Sequence, residues 1–516
     1  MAIDFFEKRR AGVLLHLTSL PSTLGNGTMG KQAYRFVDFL RECGLSVWQV
    51  LPIHPPQNVP VGTPHRDFLS PYQPQSVHAG NPMLIDLEKL INKGWLPRKS
   101  LSSFNIQDDK QLEQSFEYRR ACLKEAYPYF SEHAPKTDHD NYQQFIKENS
   151  EWLDDYALFC ALKDFNKGTC WWDWQDKGYR NYEPTALNEA RKSLADSIEQ
   201  YRFIQFAFFN QWHELRKYAD ENGVYLFGDM PFFVARDSVD VWSKRDHFLL
   251  DEEGKPTVVA GVPHPDHYST TGQCWGNPLY KWDTMMQNGD QFQWWIERFK
   301  TLSQFFDLIR LSHFRGFKAC WAIPEACDPD ASQGKWIEVP GKALFETLFK
   351  TPQPALVLVV DDVEDLSNEE VIALRNQFNL PSIKILQLAF SDKDTSDYYL
   401  PHYHARQGVV YTGTHDNNST LGWFEELSEK VRQYVCKYLD NANPDMPWVL
   451  INTALASPTR LAIIPMQDIL GLGAEHRMNT PGTSNSRNWR WQFKWLQITS
   501  DIEKKLKELV ERYERN

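Results

Sequence analysis

The sequence lacks any run of roughly 18 uncharged apolar residues, the least that would carry a helix across a bilayer, so no membrane span is expected. It also lacks an excess of positive charge: 56 Lys+Arg stand against 68 Asp+Glu, for a net charge of −12. A surface of that sign repels phosphate backbones, which excludes nucleic acid as an expected partner. No CxxC pair occurs among the eight cysteines, at 43, 122, 160, 170, 274, 320, 327 and 436. Scattered thiols in a long chain read as free and mostly buried in a reducing compartment, with no structural zinc. There is no internal repeat, low-complexity tract or long charge block. The opening MAIDFFEKRRAGVLLHL sets basic residues before an apolar run, but LTSLPS ends that run too soon for a signal peptide. A cytoplasmic location is the expectation.

What the chain does have is apolar and aromatic material: 42% hydrophobic residues, with 19 Trp, 21 Tyr and 31 Phe. Most of these rings are expected in the core, because large rings dominate burial. A minority are candidates for stacking on sugar rings. A length of 516 residues exceeds one small domain and suits a single large barrel with inserted subdomains.

Apolar runs at 12–17, 47–53, 224–227, 308–311, 356–360, 383–388, 409–411 and 461–464 read as strands buried on both faces. Helical spacing lies between several of them, at 31–44, 289–306 and 367–378, the last with Ser367 as N-cap and Glu370 three residues on. Eight strands with intervening helices predict an α/β fold, a (β/α)₈ barrel. The spacing is uneven. Residues 54–223 separate the second and third strands, far more than a βα connection needs, and so predict inserted helical structure over one rim. A smaller insertion is expected at 236–288, before the fourth strand.

In such barrels the reactive groups stand at the C-terminal ends of strands. Here those ends are polar. Asp229 follows the third strand, Ser312 and His313 the fourth, Asp361 and Asp362 the fifth, and His415 and Asp416 the seventh. A lone Asp after a strand is usually a cap or turn residue. Several such ends flanked by Arg, His or Asn instead describe a site for carboxylate chemistry on sugar hydroxyls.

The strings RRAGVLLHLTSLPS, SPYQPQSVHAGNPMLIDL, GDMPFFVARDSVDVW, TGQCWGNPLYKWD, HFRGF, TGTHDN, LGLGAEHRMNTPGT and NWRWQF run through nearly the whole chain. Together they resemble the 4-α-glucanotransferase (amylomaltase, disproportionating enzyme) family of the α-amylase superfamily. The resemblance implies a TIM-type barrel with large helical insertions over the C-terminal rim and no C-terminal β-domain. It implies retaining transfer of α-1,4-glucan segments between maltodextrins, amylose or glycogen fragments, with no cofactor and no metal.

Retention takes two displacements: one carboxylate attacks the anomeric carbon, and a second first protonates the leaving oxygen and then deprotonates the acceptor. The family's third carboxylate, which steadies the transition state, carries over to Asp416, with His415 as its partner. Arg310 and His313 match the residues that bracket the nucleophile. The nucleophile itself does not carry over. The family reads Arg-Ile-Asp-His-Phe-Arg-Gly-Phe, and this chain reads RLSHFRGF, which puts Ser312 in that place. The proton donor departs too. Ungapped counting back from the helix after the fifth strand puts Asp362 at the family's glutamate. Asp361 is one step away, and Glu364 matches the letters Glu-Asp-Leu only after a shift of two.

By the same resemblance, Asp229, Asp237, Gln273, Trp275, Asn277, Asn479 and Pro481 are substrate contacts or rim structure, although Trp275 could equally be rim core and Asp237 a helix cap. The segment 261–269 resembles a loop that covers the glucan, and 56–68 departs from the family's aromatic platform. Two readings stay open at this point: a working transferase with an altered residue set, and a catalytically silent or strongly impaired glucan binder.

Overall fold

A computed structural model describes residues 5–57, 69–102, 109–263, 272–286, 291–325, 331–351, 356–363, 368–390, 399–483 and 485–516. Its centre is a closed barrel of eight parallel strands. In chain order the strands are β1 (Arg10–Leu14), β2 (Val47–Gln49), β3 (Tyr225–Met230), β4 (Val258–Val262), β5 (Gln273–Pro278), β6 (Leu308–Leu311), β7 (Ala319–Pro324), β8 (Lys335–Glu338), β9 (Val357–Val360), β10 (Ser382–Ile385), β11 (Gly408–Tyr411) and β12 (Leu461–Pro465). The barrel runs β1-β2-β3-β6-β9-β10-β11-β12 and closes on β1. All eight expected strands are there. Their apolar runs lack alternation because both faces are covered, one by the barrel interior and one by helices. Gly12 of β1 lets two strands close up: a Cβ there would lie 2.3 Å from the Val47 carbonyl oxygen.

The helices Lys31–Glu42 and Gln293–Phe305 stand where helical spacing puts them. The helix Glu369–Gln377 begins one residue later than an N-cap at Ser367 would give. Its N-cap is Asn368, whose side chain accepts from Glu370 N at 3.1 Å and Val371 N at 3.3 Å, while Ser367 lies outside the described residues.

Between β2 and β3 stand the long helices Asp109–His133, Lys136–Phe165 and Ala195–Glu221, with shorter ones between them. Phe130, Tyr142, Phe203 and Phe206 bury their rings against one another where these helices meet, with Phe130 and Phe203 centroids 4.7 Å apart.

A second, four-stranded antiparallel sheet, β5-β4-β7-β8, was not legible in the sequence. It joins the segment before β6 to the one after it, through β4–β7 pairs such as Ala260↔Ala322. A small cluster of Val259, Ile323 and Ala331 holds it. Its strand β5, QCWGNP, carries no apolar run, so no periodicity marks it.

Candidate active site

The C-terminal ends of the barrel strands open into a cavity of about 300 Å³. Strand register decides which side chains face it. β6 pairs with β9 as Arg310↔Val359 and Leu311↔Val360, and Asp361 N donates to the Leu311 carbonyl at 3.1 Å. Ser312 and Asp361 therefore sit side by side at the ends of neighbouring strands, and both line the cavity. His313 then takes a left-handed backbone (φ 52°), which turns the chain into the short 3₁₀ helix Phe314–Phe317 and leaves Ser312 at the tip. Phe314 N closes the corner by donating to the Asp361 carbonyl at 3.0 Å.

The carboxyl that reaches the cavity is thus Asp361 and not Asp362, a correction to the ungapped count. Successive side chains of an extended strand point to opposite faces. Asp361 points inward. Asp362 points outward, is 1% exposed, and accepts from Arg375 Nη1 at 2.5 Å on the helix that follows. Burial raises the Asp362 pKa, opposed by Lys384 and Arg375. Glu364, the third possibility, lies outside the described residues.

Arg310 organises the floor. Its guanidinium pairs with Asp229 through one nitrogen and with Asp361 through the other. Burial works against its charge, but these two carboxylates hold its pKa well above the ordinary arginine value. Asp229 lies behind the cavity wall, where it also accepts from the Tyr72 hydroxyl at 3.0 Å. Burial, then the Asp229 charge, raises the Tyr72 pKa well above its usual value, so that phenol stays a donor.

Asp416 reaches the cavity from the β11 end. Asn479 Nδ2 donates to its Oδ1 at 2.6 Å, His415 Nε2 lies 3.3 Å from its Oδ2, and Arg477 Nη2 donates to its carbonyl at 2.8 Å. Asn417 braces the turn by accepting from Thr414 N and Oγ1 at 2.9 and 2.8 Å. His415 is buried behind Asp416 and stacks on Tyr72 (5.2 Å, 9°). Burial lowers its pKa, opposed by Asp416, and so favours a neutral ring.

The small sheet brings β5 over the same opening. Trp275 donates to Gln273 Oε1 at 3.2 Å and meets His313 edge-on at 5.0 Å. Burial lowers the His313 pKa to about 4. Asn277 is buried at the back, exchanging hydrogen bonds with Gln73 at 2.9 and 3.1 Å and donating to the Val234 carbonyl at 2.6 Å. Gln273, Trp275, Asn277, Arg310, Ser312, His313, Asp416, Asn479 and Pro481 all line the cavity, whereas Asp229 and His415 stand one layer behind it. Asp237 neither caps a helix nor lines the cavity. It is buried in an ion pair with Lys163, and Ser238 is the cap, accepting from Val241 N at 3.2 Å.

Sequence reasoning passed over Tyr72, Gln73, Arg315 and Trp489, which line the cavity as well. Each lies inside a string that carried the resemblance, and the left-handed backbone of Trp489 (φ 65°) leaves no mark in composition. The glucan-covering segment falls mostly on 264–269, and most of 56–68 likewise lies outside the described residues. Among the described residues no group of three His, Cys, Asp or Glu is placed to hold a metal ion, and no helix is long and apolar enough to cross a membrane.

With this geometry in hand, comparison with known proteins is specific. A family model described as 4-alpha-glucanotransferase matches residues 15–499. The 4-alpha-glucanotransferase of Synechocystis sp. is 41% identical, covering 99% of this chain and 98% of the relative. That of Thermus thermophilus is 41% identical, covering 98% and 99%. Among solved structures, the amylomaltase from Streptococcus agalactiae in complex with acarbose superposes with a TM-score of 0.90 at 34% identity, covering 99% of this chain and 100% of that one.

Proposed function

We propose, from the premise that this chain belongs to the 4-alpha-glucanotransferase family, that it binds α-1,4-glucans such as maltodextrins, amylose or glycogen fragments along the cavity and transfers α-1,4-glucan segments between them. The observation that carries this reading is the convergence of Asp361, Asp416 and Ser312 on one cavity at the C-terminal ends of β9, β11 and β6. In it, Asp361 protonates the glycosidic oxygen and later takes the proton of the acceptor hydroxyl. Its ion pair with Arg310 fixes the carboxyl in place. Asp416, held by Asn479 and His415, meets the charge that develops at the reacting sugar. Tyr72, Trp275 and Trp489 offer aromatic faces to the glucan.

Ser312 occupies the position from which the first displacement is launched. A hydroxyl is a weak nucleophile without an activating base, so donor cleavage is the step expected to limit turnover. This observation also favours a second reading, a glucan binder with little or no turnover. Incubation with maltotriose separates the two. Glucose together with longer maltodextrins is the expected outcome. Saturable maltodextrin binding without such products would establish the second reading instead. A cytoplasmic location belongs to the same proposal, supported by the free thiols of the described cysteines.

A further inference from the structure

A retaining transfer is two inversions in sequence, and Ser312 affects them unequally. The first needs a carboxylate to attack the anomeric carbon on its β face. The second needs only a base for the acceptor, a stabiliser for the sugar's positive charge, and a leaving group departing from the β face. Asp361 and Asp416 supply the base and the stabiliser, and both line the cavity with Ser312. Ser312 is half-buried and shorter than aspartate by most of a carboxyl group, so the β face has room for a small leaving group. It also carries no negative charge to repel a departing anion. Arg310 and Arg315 line the same cavity.

We propose that this site catalyses the second inversion by itself. It would take a β-configured glucosyl or maltosyl donor whose leaving group is a small anion, and join it to the 4-hydroxyl of an α-glucan acceptor. The acceptor oxygen forms the new bond to C1 on the α face while the bond from C1 to the leaving group breaks on the β face. The bonding pair departs with the anion, and the hydroxyl proton passes to Asp361 and then to solvent. The Ser312 hydroxyl donates a hydrogen bond to the departing anion. The product is an α-1,4-linked glucan, which the same site cleaves slowly because position 312 has no carboxylate to take the glucan back as a glycosyl ester.

This inference rests on the glucan-site reading above, and its test keeps the two apart. The full-length protein is given β-maltosyl fluoride and maltotriose. Fluoride release is read with an electrode and products by chromatography and α-specific digestion. The expected result is one fluoride released per α-1,4-elongated product formed beyond those given by maltotriose alone, with release ~10-fold or more slower in Ser312→Val, which fills the space and removes the donor, and lost in Asp361→Asn. Absence of elongated product, together with maltotriose disproportionation by Ser312→Asp, would overturn the inference and leave the glucan-site reading standing. Hydrolysis to maltose without elongation would overturn it as well. Failure of both reactions, with no maltoheptaose binding by calorimetry, would sink the inference and the glucan-site reading together.

Discussion

Asp361 and Asp362 are neighbours in the chain with opposite surroundings. One lines the cavity in contact with Arg310, and the other is buried against Arg375. Exchanging each for asparagine should therefore give different losses. Asp361→Asn should abolish most turnover and leave thermal stability nearly unchanged. Asp362→Asn should cost about 3–5 kcal/mol of stability, because it leaves the Arg375 charge poorly compensated. Urea unfolding beside maltodextrin turnover checks both, and equal losses from the two variants would contradict the assignment. Ser312→Asp combined with Asp361→Glu should raise disproportionation, by as much as ~10⁴-fold if the rest of the cavity is already arranged for the family's chemistry. At this scale the sequence marked loop ends that line the cavity, and the carboxyl that lines it after β9 is one residue before the one the ungapped count reached. A doublet of aspartates does not reveal which member points inward. That follows from the pairing of Leu311 with Val360, a register between strands that no single segment contains.

Elements that bury both faces were the readable ones, since a continuous apolar run between polar ends marks a barrel strand wherever it lies. The antiparallel sheet was not readable, because β5 and β8 are largely polar and partly exposed. The loop after β2 was also opaque, for its order comes from distant partners. Asp240 accepts from Val77 N at 3.0 Å and Trp294 Nε1 at 3.2 Å, Gln205 exchanges bonds with Gly80 at 2.8 and 3.0 Å, and His78 Nδ1 lies 2.8 Å from Thr301 Oγ1. This loop presents Tyr72 and Gln73 to the cavity, so its anchors matter to the site.

Burial, helped by His54, Arg298 and Lys244, lowers the His78 pKa to about 3, whereas an unfolded histidine titrates near 6.5. The folded protein therefore favours the neutral ring. The stability this confers is complete above about pH 6.5 and is lost as pH falls toward 3, at up to about 1.4 kcal/mol per pH unit. Asp240, raised to about 6 by burial, titrates with the opposite sign in both wild type and variant, and so drops out of the difference between them. His78→Gln should start less stable at pH 7, and its deficit should shrink steadily as pH falls from 6.5 toward 3, as urea midpoints across that range would show. Parallel pH curves would mean that His78 is already protonated in the fold.

The barrel as a whole divides its work between its two ends. The C-terminal ends of the strands hold the cavity, and the N-terminal ends hold the seam where β1 meets β12. That seam is fastened by a fully buried Arg515. Its Nε donates to the Leu455 carbonyl at 2.6 Å, Nη1 to Arg10 and Arg460 at 3.0 and 3.2 Å, and Nη2 to Ser457 and Thr459 at 2.8 and 2.9 Å. Its own carbonyl accepts from Ala11 N at 3.2 Å. Burial, then the charges of Arg9 and Arg460, pushes its pKa down to about 9, so the fold bears the cost of a confined cation in order to satisfy these carbonyls. Arg515→Ala would strip a donor from all five at once and should cost at least about 3 kcal/mol. Arg515→Lys should recover only part of that loss, because a point ammonium cannot reach five acceptors spread around a planar fork. Since the seam lies at the end of the barrel away from the cavity, the folded fraction of either variant should bind maltoheptaose as the wild type does. Chemical unfolding paired with calorimetric binding checks this. A variant that keeps its stability, or one that loses glucan affinity in step with stability, would show that the two ends are not separate in this way.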